Sequence, residues 1–558
     1  MNAPPTGHPG PSDAPGVGRR AVLRGIGLGA LGAAAATFLA ACGAREPQAG
    51  ALAAAGREGF GADTGGELGA LRLSMPGSLA NLYPGQESGI LNYVMAAPVA
   101  EGLMTVGSDG SLVPGLATGV ERPDPLTWVY TLDPAARFSD GTPVLAADVV
   151  ASINAGKDEK LSPSTAAYWA ALASAEASGE REVTLTTSYE DVAFGWVPTT
   201  VDALWVMPAA AWKRDALGGP TAPLIGSGPY KVAAFVPSSH LVLERNQFWR
   251  GTPGRAATVR VDFISDDTTR LLAWQSGAMD ISLNVPLAQA AQWAASPRTI
   301  LNFQPDRSYA GLTFNTAKAP FDDVHARRAV AYAINKQALV DDVLLGQAQV
   351  ATALATPEQF GGVLTPEEAT RRLAEGEQYA FDLEAAKREL AQSKTPKGFE
   401  LTLSYPNTGP QLGTAALAFA KTLEPLGIKI TVKQLAIEQW LAELGEAPEL
   451  SYMWYFNTTG DPAELSAWFL ADGNPAAFKD PELAALIGSA AGIKDPRQRA
   501  EVVLKAQRLM TEQVPYLPLW WGRSATAFSS TLGVKDYTSF TFNSLWPLQV
   551  HPTAGAAS

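Results

Sequence analysis

Cysteine is nearly absent: the chain of 558 residues has one, Cys42. A single thiol closes no internal disulfide and cannot make up a structural zinc site. Histidine is scarce too, with four in all, and no HExxH, GxSxG elbow, Walker loop or CxxC occurs. The common signatures of metallo- and serine hydrolases and of P-loop nucleotide hydrolases are therefore missing. No Lys/Arg block stands against the acidic balance, 42 basic to 55 acidic residues for a formal charge of −13. A phosphate-backbone partner would find little to hold, so nucleic-acid binding is excluded as a reading. Beyond residue 41 there is no second apolar run of spanning length, no heptad pattern and no short repeat. A hydrophobic share of 46% over this length instead supplies the cores of two or more ordinary domains.

The first residues are distinctive. Arg19, Arg20 and Arg24 precede an uncharged run from Gly25 to Ala41, which is a charged n-region before an apolar h-region. Gly and Ala dominate that run and contribute little transfer free energy, so a cleaved leader fits better than a permanent membrane span. Leu39-Ala40-Ala41-Cys42 resembles a bacterial lipobox, with the lone cysteine at the position that accepts the lipid. The segment around Arg19 and Arg20 resembles the twin-arginine export motif, with an ordinary Sec leader as the alternative. A literal GxGxxG at Gly27 to Gly32 has no preceding strand and is a coincidence of the leader. Residues 42–67, rich in Ala and Gly, read as a flexible tether between lipid and globular body.

From about residue 68 the pattern becomes globular. Residues 70–75 alternate as a strand that stops at Pro76-Gly77, and a helix follows over 90–101. Strands are expected at 128–132, 183–187, 241–246 and 259–264, and helices at 144–153 and at 268–276, the last ended by Gly277. In the second half, a strand at 399–405, a helix at 414–426 ended by Gly427 and a strand at 428–432 form a crossover expected to be parallel and right-handed. Two helices, 323–334 and 336–345, precede it, with Asn335 as cap of the second. Residues 450–456 alternate, Leu450, Tyr452, Trp454 and Phe456 on one side.

Several blocks together resemble the family 5 extracytoplasmic solute-binding proteins of ABC importers, the peptide, oligopeptide, nickel and glycoside group. They are Phe138-Ser139-Asp140-Gly141-Thr142-Pro143 with Ala147-Asp148-Val149-Val150, Ile225-Gly226-Ser227-Gly228-Pro229-Tyr230, and Glu244-Arg245-Asn246 with Phe248-Trp249. Later come Phe314-Asn315-Thr316 with Pro320-Phe321-Asp322-Asp323, Arg328-Ala329-Val330-Ala331-Tyr332-Ala333-Ile334-Asn335, and Val514-Pro515-Tyr516-Leu517-Pro518-Leu519. Each block is weak alone; their order and spacing are specific, and they cover residues 71–548. Leu145 departs from the family, which often caps the following helix with Thr.

The resemblance implies an α/β fold: a two-lobed periplasmic-binding-protein-like clamshell with an extra domain, of the cluster C type. Lobe 1 would take 68–101, 225–312 and 523–558, the extra domain 102–224, and lobe 2 313–522, with hinge strands near 309–315 and 516–523. It implies a receptor that captures a small solute, a peptide, a sugar or a similar polar molecule, closes on it and presents it to an ABC permease and its ATPase. No cofactor is implied, and the location is extracytoplasmic, held to the membrane through Cys42.

Peptide-binding members often anchor the free amine with an Asp in Trp-x-x-Asp-Tyr-x-Asp/Glu-Pro. Here Trp454-Tyr455-Phe456-Asn457-Thr458-Thr459-Gly460-Asp461-Pro462 keeps the acidic-Pro pair but puts Asn457 or Thr458 where the Asp belongs. A neutral group gives no charge-assisted bond to an ammonium, which favours a sugar, an opine-like molecule or another polar solute. Asn457, Thr458 and Asp461 lie just past a strand, where open α/β sheets hold ligands. Asn81 and Tyr83 after the first strand, Tyr405 and Asn407 after the 399–405 strand, Trp454, and Trp521 beside the hinge complete the candidates, each weighed against a plain role in turn or core. The rival readings are a secreted lipoprotein hydrolase, with Asp266-Asp267 or Asp322-Asp323 as acid and base, and a sensory receptor without transport. Both aspartate pairs sit where helix caps are expected.

Overall fold

The computed structural model describes residues 60–554 apart from Ser78, Ser88 and Asp472; the leader with Arg19 and Arg20, and Cys42, lie outside them. Two long strands, Thr299–Phe314 and Tyr516–Ser529, organise these residues. They run antiparallel, Thr299 opposite Ser529 at one end and Thr313 opposite Tyr516 at the other, with a register shift between Pro305 and Tyr309. Both belong to one nine-stranded sheet. On one side it continues through Ile281–Val285, Leu68–Met75, Ala256–Phe263, His240–Arg245 and Tyr230–Val236; on the other, Thr299–Phe314 pairs with Leu450–Phe456. The two long strands are therefore the continuous link between two separately cored bodies, as expected of a two-lobed clamshell.

The first body forms because its strands alternate strictly. Leu71, Leu73 and Met75 face Val259, Val261 and Phe263 across a parallel pair, and with Leu241, Leu243 and Trp546 they build one core. Full burial of each such side chain contributes about 1.5–3 kcal/mol. The second body contains the expected parallel unit: strands Glu400–Pro406 and Lys429–Leu435 joined through the helix Pro410–Leu423. Leu412, Ala415, Ala416, Phe419 and Leu423 form its buried stripe, the three-and-four spacing of a helix packed on one face. Gly427 takes φ 74°, a conformation that costs glycine little. The strand Leu450–Phe456 is covered on both faces. Leu450, Tyr452 and Trp454 meet the core with that helix, while Met453 and Tyr455 meet a second core with Val503 and Met510 of the helix Pro496–Gln513.

A third core belongs to residues 103–206. Its antiparallel sheet runs Ala117–Glu121, Thr127–Leu132, Glu182–Thr187, Leu172–Ala177 in spatial order, and the helix Ala146–Lys157 packs Val149 and Ile153 against it. Leu145 gives that helix no side-chain cap, but Asp148 accepts from Leu145 N at 3.0 Å, so half of a capping box survives the departure from the family pattern.

Several expectations shift. The helix at 90–101 is Ile90–Ala96, since Pro98 denies the chain a helical N–H. The helix at 144–153 is Ala146–Lys157. The one at 336–345 is a turn, Lys336–Ala338, followed by a π-turn, Leu339–Val343, closed by Leu345 and Gly346 at positive φ. The segment expected as tether is docked from Phe60 onward: Phe60 meets the rings of Phe528 and Tyr537 edge-on at 5.0 and 5.6 Å, and Thr64 N donates to Pro552 O. Apolar anchorage outweighs the entropy of a free linker there. Among the described residues no helix is long and apolar enough to cross a membrane.

Candidate functional site

The loop that leaves the strand Leu450–Phe456 meets residues from the third core. Gly460 lies against Gly110 O and the Trp196 ring so closely that an added Cβ would overlap the Gly110 oxygen. Val192 N donates to Ala491 O at 2.8 Å. Beside this seam is a cavity of about 640 Å³, bordered by Tyr168, Asp191 and Asp202 from one side and by Thr458, Asp461 and Glu464 from the other.

Local chemistry fixes each wall. Glu464 opens the helix Glu464–Leu470; its Oε1 accepts from Thr458 N at 3.2 Å, and its Oε2 from Thr459 N at 3.1 Å and Thr459 Oγ1 at 2.5 Å. Burial nonetheless raises its pKa, those hydrogen bonds opposing the rise. Asp461 Oδ1 accepts from Ala463 N at 2.8 Å, and its Oδ2 is ion-paired with Arg499, which also donates from Nε to Ala490 O. Asp191 accepts from Ala193 N at 2.9 Å, and burial raises its pKa. Asp202 is 6% exposed, and burial, with the nearby Glu464 charge, pushes its pKa up to about 8.

Behind the loop stands Arg307, at φ 58°. Its guanidinium donates to Asn543 Oδ1 at 2.6 Å and Thr458 O at 3.3 Å and lies 4.2 Å over the Phe540 ring. Burial lowers its pKa to about 10. Arg307 Nε, Asn457 Oδ1 and Asn543 Nδ2 are buried without a hydrogen-bond partner among the described residues. Arg307 also borders a second cavity of about 520 Å³, with Glu358, Trp521 and Arg523.

Of the residues singled out in the sequence, Thr458 and Asp461 border the larger cavity and Trp521 the smaller. Asn457 is buried, its N and Nδ2 both donating to Arg307 O at 3.0 Å. Trp454 is half-buried with its ring 5.3 Å from that of Phe456. The others serve their own elements. Asn81 accepts from Tyr83 N and donates to Leu217 O, which makes it a turn residue. Tyr83 is buried edge-on against Trp205 and Trp212, its hydroxyl 2.7 Å from Ser162 Oγ; it is core, and burial raises its pKa to about 12. The Tyr405 ring is held beneath Gly413, and Asn407 is exposed with its N–H on Leu435 O. Trp521 is buried in one core of the second body, and its neighbour Trp520 in the other. The aspartate pairs are spoken for. Asp266 and Asp323 cap helices, Asp267 pairs with Arg270, and Asp322 with Lys394.

Sequence reasoning passed over Asp202, Glu464, Arg307 and Arg499. Asp202 had a signal, because it is the one charged residue between Asp191 and Lys213. Arg307 had none, since its role depends on Asn543, distant in sequence and brought close only by the fold.

The described family that matches is "Bacterial extracellular solute-binding proteins, family 5 Middle", over residues 111–477. Among curated proteins, the chain is 25% identical to the probable D,D-dipeptide-binding periplasmic protein DdpA of Escherichia coli K12, over 75% of this chain and 80% of the relative. It is 23% identical to the glutathione-binding protein GsiB of Salmonella typhimurium LT2, over 84% and 92%. Among solved structures, AgaA from A. tumefaciens R10 with agropinic acid shares the fold at a TM-score of 0.72 and 24% identity, over 88% of this chain and 99% of that one.

Proposed function

The chain belongs to the family 5 bacterial extracellular solute-binding proteins, and from that premise we propose that it is a lipid-anchored receptor whose larger cavity, between residues 102–224 and the second body, is where the solute is held. It captures a peptide or other polar organic solute and presents it to an ABC permease and its ATPase. One observation carries the placement: two independently cored parts of the chain close around this cavity, each supplying acidic and aromatic groups to its walls. Closure of one part on the other around a bound molecule is how such receptors signal occupancy.

Within that reading the solute is not held by an amine anchor at Asn457, because that side chain is buried and does not border the cavity. The relatives' printed names, a D,D-dipeptide and glutathione, keep peptide-like molecules in the class. The chain acts by binding and turns nothing over, in keeping with a family of binding proteins and with the aspartate pairs serving as caps and ion-pair partners. Cys42, lipidated after export under Arg19 and Arg20, ties it to the outer face of the cell membrane.

The test is fractionation of cells together with intrinsic tryptophan fluorescence of the purified chain. Cys42→Ser is expected to leave the membrane fraction, and the wild type to show a saturable change with a member of a peptide, sugar and opine panel. Membrane retention of the variant would refute the anchor, and hydrolysis of any panel member would refute pure binding.

A further inference from the structure

One wall of the larger cavity holds an acidic side chain that has no counter-charge among the described residues. Asp202 is 94% buried by its 6% exposure and borders the cavity. Its carboxylate has no hydrogen bond or ion pair with the described residues, and the Glu464 charge that acts on it is of like sign. Glu464 borders the same cavity, and its hydrogen-bond partners are neutral donors: Thr458, Thr459, Gln359 and Tyr455. One arginine lines the cavity, Arg499, and it is already paired with Asp461. Acidic groups thus outnumber cations on the cavity wall, Asp191, Asp202, Asp461 and Glu464 against Arg499; Arg307, behind the loop, acts on Glu464 but does not border the cavity. Burying such a group as a charged carboxylate is costly, so Asp202 keeps its proton at neutral pH, and a bound cation can take that proton's place.

The remaining walls indicate what kind of cation. Tyr168, near enough to feel the charges of both Asp202 and Glu464, borders the cavity together with Trp196 and with Trp468, which is 54% exposed. Aromatic faces attract organic cations, whereas a hard metal ion demands six or more oxygens. A space of about 640 Å³ also accommodates a molecular body beyond the charged group.

We propose that this part of the cavity is a subsite for an ammonium or guanidinium group of the captured solute, with Asp202 and Glu464 accepting its charge-assisted hydrogen bonds and the Tyr168 and Trp468 rings flanking it. The inference rests on the reading of the cavity as the solute site. The titratable groups around Asp202 are Glu464, Tyr168 and Tyr455, with Tyr93 donating to its backbone oxygen and Asp191 and the Asp461–Arg499 pair on the same cavity. Since Asp202 is held protonated at neutral pH, a cation that ionises it displaces a proton, so capture and proton release are coupled.

The test is calorimetric titration of the purified full chain at pH 7, in phosphate and in Tris, with agmatine, putrescine and L-lysyl-L-alanine, and with glutarate as the anionic control. At least one cationic probe is expected to bind with release of up to one proton, glutarate not to bind, and Asp202→Asn and Glu464→Gln each to weaken the cation at least tenfold. Equal binding of cations to wild type and Asp202→Asn, or preference for glutarate, would overturn the subsite. Ala467→Trp, which fills the same cavity from an exposed position, separates the two levels. If it abolishes capture of the host's own solute while Asp202→Asn does not, the cation inference alone falls. If capture survives the tryptophan, the cavity is not the solute site and the subsite falls with it.

Discussion

Two aspartates on the wall of one cavity have opposite fates. Asp461, in the segment that resembles the family's peptide anchor, is neutralised by Arg499 and by a backbone donor; it shapes its loop. Asp202, in a stretch with no family motif, is buried just as deeply but has no counter-charge among the described residues and keeps its proton instead. Proximity to a binding motif therefore says less about a carboxylate's role than whether the fold supplies its counter-charge.

Breaking the satisfied side of the comparison should have the largest effect. Arg499→Met strands the buried Asp461 carboxylate and is expected to cost about 3–5 kcal/mol, read from the urea midpoint at pH 7. A loss below 1 kcal/mol would show the pair to be dispensable. For the same reason Asp461→Ala is expected to destabilise the chain by leaving Arg499 unpaired, so weaker binding in that variant would not by itself place Asp461 against the solute.

Removing the unsatisfied side should do the reverse. The Asp202 pKa is raised from 3.8 to about 8, so between those limits the folded chain keeps a proton that the unfolded chain gives up. Stability contributed by this group is present at low pH and is lost as pH rises through that window. Asp202→Asn is expected to match the wild type near pH 4 and to exceed it at pH 7 by about 4 kcal/mol, read by thermal unfolding across pH. A parallel pH profile in the two proteins would contradict the assignment.

Sharpening the comparison at the seam gives a smaller effect. Gly460→Ala puts a methyl group into the Gly110 oxygen and should hold the two parts apart, weakening solute binding about tenfold with the unfolding midpoint unchanged. Trp468→Ala, at an exposed position, should weaken a cationic solute about threefold, measured in the same titration.

The sequence made the fold legible where local pattern and tertiary packing agree. The alternation at 70–75 and 450–456, the strand–helix–strand unit closed by Gly427, and the capping aspartates all appear where expected, because each is set by neighbours within a few residues. The helix beginning at Ile90 came out short because Pro98 weighs more than apolar spacing. The site was less legible. Thr458 and Asp461 followed from the strand-end rule, but Tyr83 and Asn81 obey the same rule and are consumed by core and turn. Arg307 and Asp202 matter through Asn543 and Glu464, contacts across more than two hundred residues that no local pattern encodes.

The most direct measurement is native mass spectrometry of the full chain purified from its own host, with identification of the ejected small molecule, run beside Ala467→Trp. The account predicts one polar organic molecule per wild-type chain and none on the variant. Equal occupancy of the two chains by the same molecule would contradict it.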